Sequence, residues 1–147
     1  MDPRVVAGDI TELESGAVIV GLFDGAKGSG AFGAVDRALD GALTALMDDG
    51  EIKGKKGEFT LVHTLGKTTP ARVLVAGLGK QDTFDAERVR TVSARALRYL
   101  RGKGVSDVAA VLLGAGAGGL DAGVSAQAIV EGAVLGLYRF DKYKSDT

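Results

Sequence analysis

Ala17–Leu22 reads AVIVGL, and residues 24–33 behind it read DGAKGSGAFG. The apolar run is too short for a core helix and shows no period-two alternation. It therefore predicts a strand buried on both faces. From Ala34 to Met47 the pattern becomes helical, with Val35, Leu39, Ala42, Leu43 and Leu46 on one face. Gly50 is the stop. A buried strand, a glycine-rich segment and a helix in that order form a unit of an α/β fold.

The flanking sequence extends this unit. Upstream, Arg4–Ala7 predicts a short strand ended by Gly8-Asp9. Downstream, Lys53–Gly57 (KGKKG) reads as a charged, solvated turn rather than a binding site. Phe59–Leu65 and Arg72–Leu78 are rich in β-branched and apolar residues, and the turn around Gly66–Pro70 makes them an antiparallel hairpin. Asp85 is placed to cap a helix reaching about Arg101, with Val89, Val92, Ala96 and Leu100 inward. Gly102 and Gly104 end it. Val108–Leu113 predicts another buried strand, and Gly114–Gly119 is a second glycine-rich loop. Ser125 then opens a last helix with Ile129, Val130, Ala133, Val134 and Leu137 on one face, before a polar exit from Tyr138 to Thr147.

The predicted order is β-β-α-β-β-α-β-α. Helices separated by single strands or hairpins indicate a mixed sheet covered on both faces, a three-layer α/β/α sandwich. There is no internal repeat and no linker, so the expectation is one domain over residues 1–147.

Composition narrows the function classes. The chain is 46% hydrophobic and 25% charged, ordinary values for a globular domain. A net charge of -1 gives no whole-chain argument for nucleic acid or membrane binding. The absence of cysteine removes disulfides and thiolate metal sites and suits a reducing cytoplasm. Met1-Asp2-Pro3-Arg4 lacks the shape of a secretory leader, and no apolar run approaches the roughly 18 residues of a spanning helix.

Few residues could carry chemistry. His63, the sole histidine, lies in a predicted strand and reads as a partly buried strand residue rather than a metal ligand. Asp48-Asp49 reads as a solvated helix end. No serine sits in a nucleophile elbow and one histidine gives a Ser-His-Asp triad little support, while a carboxylate pair brought together in space stays open; no catalytic or metal-ligating residue is assigned from sequence. The helix from Asp85 carries Arg88, Arg90, Arg95, Arg98 and Arg101, then Lys103, with Arg88, Arg95 and Arg98 near one face. A solvated outer face is one reading, and a basic stripe for nucleic acid or an acidic partner is the other. The glycine-rich segments are the stronger candidates, because such loops gather at strand carboxyl ends, where backbone N–H groups can cradle an anion. Gly28, Gly30 and Gly33 precede one helix, and Gly114, Gly116, Gly118 and Gly119 precede another. Neither has P-loop spacing.

Two family resemblances rest on these segments. The run EGAVLGLYRFDKYKS from Glu131 to Ser145, the run RVLVAGLGK from Arg72 to Lys80 and the helical TVSARALRYL resemble the N-terminal domain of the leucyl aminopeptidase family. The stretch Gly8-Asp9-Ile10-Thr11, the strand Ala17–Val20 and GSGAFGAVDRA from Gly28 to Ala38 are similar to macro domains, which bind ADP-ribose. The two resemblances agree on a macro-like fold.

The aminopeptidase resemblance implies a non-catalytic accessory and assembly domain of a cytoplasmic, hexameric metallo-aminopeptidase. Its hydrolysis would use two divalent metals, zinc or manganese, in a separate C-terminal domain. The signature Asn-Thr-Asp-Ala-Glu-Gly-Arg-Leu of that domain is absent here. Tyr138 and Phe140 would contact it. DNA contact is a further, weaker implication. The macro resemblance implies a nucleotide site using Asp9 and Ile10 with Gly28, Gly30, Gly33, Gly116 and Gly118. The chain departs from that pattern after its second strand, where Gly21-Leu22-Phe23-Asp24 replaces an asparagine-rich segment; the whole chain has no asparagine.

Overall fold

A computed structural model describes residues 2–6, 16–25, 30–68, 70–105 and 107–111. Five strands form one sheet: β1 (Asp2–Val6), β2 (Ala17–Phe23), β3 (Phe59–His63), β4 (Arg72–Gly79) and β5 (Asp107–Val111). Their order is β1-β5-β2-β4-β3. All neighbours run parallel except β3, which pairs antiparallel with β4 as a hairpin. The helices are α1 (Gly30–Ala38), α2 (Ala42–Asp48) and α3 (Ala86–Gly102). The mixed sheet and the hairpin match the sequence reading.

Alternation along β2 and β4 builds two cores. Ala17, Ile19 and Phe23 of β2, with Leu74, Ala76 and Leu78 of β4, meet Val89, Val92, Ala96, Leu97 and Leu100 of α3. Val18, Val20 and Leu22, with Val73 and Val75, meet Phe32, Val35, Leu39 and Leu43 of the α1–α2 side. Both faces of the central strands are therefore covered, which explains why AVIVGL lacks alternation. Burying each of these aliphatic side chains is worth roughly 1.5–3 kcal/mol.

Several boundaries differ from the sequence reading: β1 begins at Asp2 rather than Arg4, β5 at Asp107 rather than Val108, and α1 at Gly30 rather than Ala34. The expected single helix Ala34–Met47 is two helices, because Asp40 and Gly41 both take positive φ (57° and 83°) and break the ladder. Both halves bury one continuous apolar stripe, so periodicity alone runs across the break. Leu65, expected inside a strand, lies beyond it at positive φ and is 87% exposed. The predicted final helix and its apolar face lie outside the described residues.

α2 has a capping problem that its own sequence does not solve, since Gly41 has no side chain to offer. Asp36 of α1 supplies the acceptor: Thr44 donates its backbone N–H to Asp36 Oδ1 at 3.0 Å, and its hydroxyl donates to Asp36 Oδ2. α3 is capped locally, as expected, by Asp85 accepting from the Arg88 N–H at 2.9 Å.

Candidate functional site

The four parallel strands end at the same edge of the sheet. β2 connects through α1 and α2 on one face, whereas β4 connects through α3 on the other. Adjacent strands whose connections leave for opposite faces open a crevice at their carboxyl ends. Here the crevice between β2 and β4 is filled by the chain's own backbone. Gly79 donates to the Gly54 carbonyl at 2.9 Å and Asp24 to the Gly79 carbonyl at 2.9 Å, while Gly77 extends the β3–β4 ladder by donating to the Glu58 carbonyl at 2.8 Å. The Glu58 carboxylate accepts from the N–H groups of Lys53 and Gly54 at 2.7 and 2.9 Å, holding the turn in place.

Glycine is required where this strap lies on the sheet. A Cβ on Gly77 would stand 1.9 Å from the Lys55 carbonyl oxygen, and one on Gly54 would stand 2.4 Å from the Phe23 oxygen. The KGKKG turn was expected to be merely solvated. Its lysines are exposed, but its backbone closes the β2–β4 crevice. Phe23 and Phe84 pack edge to face beneath it, with ring centroids 4.9 Å apart.

β1, β5 and β2 are consecutive in the sheet, and each leads into one of the segments singled out from sequence. β1 leads to Asp9 and Ile10, β5 to Gly116 and Gly118, and β2 to Gly28 and Gly30. Asp9, Ile10, Gly28, Gly116 and Gly118 themselves lie outside the described residues, as do Tyr138 and Phe140. Gly30 opens α1, and Gly33 is buried within that helix rather than standing in a loop.

The other flagged residues are spread apart. His63 ends the edge strand opposite Arg72 and is exposed, which corrects the expectation of partial burial. It is the last residue of β3, which among the described residues is an edge strand of the sheet. Asp48 and Asp49 are exposed at the end of α2. Among the described residues no three His, Asp or Glu side chains converge as a metal site. Arg88 reaches back to the Leu78 carbonyl at 3.2 Å, Arg90 pairs with Glu87 at 2.8 Å, and Arg98 donates to the Ala94 carbonyl at 3.3 Å. Sequence reading missed Asp40, which holds Lys67 of the hairpin turn at 2.8 Å. The hydrogen bond and charge of Lys67 lower its pKa below the ordinary aspartate value.

Comparison with known proteins bears on both resemblances. The model of the cytosol aminopeptidase family, N-terminal domain, matches residues 19–147. A probable cytosol aminopeptidase of Alkaliphilus oremlandii is 29% identical over 150 residues, covering 99% of this chain and 29% of the relative. The macrodomain of Mycobacterium tuberculosis DarG superposes with a TM-score of 0.71 at 22% identity, covering 92% of this chain and 91% of that one. A variant of tomato leucine aminopeptidase superposes at 0.70 with 19% identity, covering 92% of this chain and 28% of that one. The fold is macro-like, and the chain spans less than a third of the curated relative.

Proposed function

The chain belongs to the cytosol aminopeptidase family as its N-terminal domain, and from that premise we propose that it is the non-catalytic accessory part of a longer leucyl metallo-aminopeptidase. One observation carries the reading: the family match fills residues 19–147, while the relative extends well beyond the aligned part. The rest of that length is where this reading puts the catalytic domain and its two divalent metals, zinc or manganese. Such a metal pair supplies Lewis acidity and an activated water for amide hydrolysis. Among the described residues no three His, Asp or Glu side chains converge to hold such a pair. No step of hydrolysis is therefore assigned to residues 1–147.

What the domain offers instead is surface. In this reading Tyr138 and Phe140 meet the catalytic domain, because they fall off the apolar face of the predicted last helix and two aromatics there need a partner. Hexameric assembly and a cytoplasmic location belong to the same reading. No helix among the described residues is long and apolar enough to cross a membrane. The test is the reading frame of the gene beyond Thr147. It should run into a domain carrying the carboxylate signature; a frame that closes at Thr147 would contradict the proposal.

A second reading, a nucleotide-binding module, is favoured by the side-by-side exits of β1, β5 and β2 toward Asp9 and the glycine-rich segments. The missing asparagines argue against strong binding, so titration calorimetry with ADP-ribose should give weak or no heat. A low-micromolar dissociation constant abolished by Asp9→Ala would promote this reading above the first.

A further inference from the structure

The side of α3 nearest β3 carries a basic groove that the accessory role does not use. Lys56, Arg88 and Arg95 line a cavity of about 340 Å³ with Phe59 and Val92 as its apolar wall. It continues into a shallower depression of about 830 Å³ bounded by Arg95, Arg98 and Tyr99. Phe59 and Tyr99 stack at 5.9 Å, and Lys103 lies 5.5 Å from the Tyr99 ring. Asp85 and Glu87 also line the cavity, but the first caps α3 and the second pairs with Arg90. The groove is thus rich in cations and has its carboxylates already engaged.

The hydrogen-bond register of the hairpin adds an independent observation. Gly77 donates to the Glu58 carbonyl, and Thr64 donates to the Ala71 carbonyl at 3.1 Å. In an antiparallel pair the bonded positions alternate, so Thr60 and Val62 turn their peptide groups inward to β4. Phe59, Leu61 and His63 then turn theirs outward. β3 is the last strand of the sheet among the described residues, and that outward edge is unpaired there.

We propose that the free edge of β3 and the arginine flank of α3 together bind an extended acidic peptide, which adds to the sheet as a further strand. Residues of the added strand beside Phe59 and Leu61 share the face of those side chains, and that face carries the groove. Carboxylates at these alternate positions meet Arg95 and Arg98. The intervening positions lie beside Val62, which packs against the α1–α2 core, and so favour apolar residues. Main-chain hydrogen bonds supply affinity in such strand addition, and alternate side chains supply specificity. An unpaired strand edge calls for another peptide backbone, which favours a peptide over a nucleic acid.

The test is fluorescence anisotropy of the 147-residue chain with a labelled peptide of alternating glutamate and valine, at low ionic strength. Binding is expected, and Arg95→Glu/Arg98→Glu should weaken it at least about tenfold, as opposed charges become like charges. His63→Pro removes an outward donor at an exposed position and should weaken it as well. The same peptide N-methylated at alternate backbone nitrogens should not bind, which preserves the backbone test if His63→Pro lowers the melting temperature. Unchanged binding of the methylated peptide, or of the charge-reversed protein, would overturn the proposal. So would binding of oligothymidylate where the peptide shows none, since that outcome assigns the groove to nucleic acid.

Discussion

Gly77 looks on sequence like one more small residue in a β-strand, and its backbone angle places no demand for glycine. The demand comes from across the sheet edge, where the Lys55 carbonyl lies against its Cα. Gly77→Ala must push the strap away from β4 and disturb the bonds at Gly77 and Gly79. Overpacking of this kind costs roughly 1–3 kcal/mol. Urea denaturation of the variant should show a loss of that size. Stability within about 0.5 kcal/mol of the parent, the range expected of a surface substitution, would mean that the strap yields freely. The glycine content was visible from sequence as a need for close backbone approaches, but not which glycine meets which carbonyl. That contact joins residues brought together only by the strand pairing.

Among the helices, α3 was legible in detail and the first helical segment was not. Asp85 caps its own helix three residues ahead, a local pattern that sequence displays. The flank formed by Arg88, Arg95 and Arg98 also follows from 100° arithmetic, although the opposing wall from Phe59 does not. In Ala34–Met47 the apolar stripe continues through the break, and the acceptor for α2 comes from Asp36, eight residues before Thr44. Asp36→Ala should therefore behave as loss of an N-cap for α2, although Asp36 lies in α1. The expected cost is about 1 kcal/mol, within the 0.5–2 kcal/mol range of such losses. Asp36→Asn, which keeps an acceptor, should recover part of it in thermal denaturation. Equal melting temperatures for the parent and Asp36→Ala would show that Thr44 finds another partner without cost.

At the scale of the whole molecule, one sheet is covered on both faces and one of its carboxyl-end crevices is sealed by its own backbone. The layered fold could be read from AVIVGL because burial on both faces leaves its mark within a single strand. The order of the strands that lead into the glycine-rich segments could not, since the pairing that places β5 between β1 and β2 is not local in sequence. The division of labour proposed for the longer polypeptide rests on the family match, and among the described residues no three His, Asp or Glu side chains converge as a metal site. Hydrolysis of a leucyl amide by the purified 147-residue chain, with manganese or zinc added, measures that division directly. No turnover above the metal-only control is predicted. Metal-dependent turnover that follows the chain through gel filtration would contradict it.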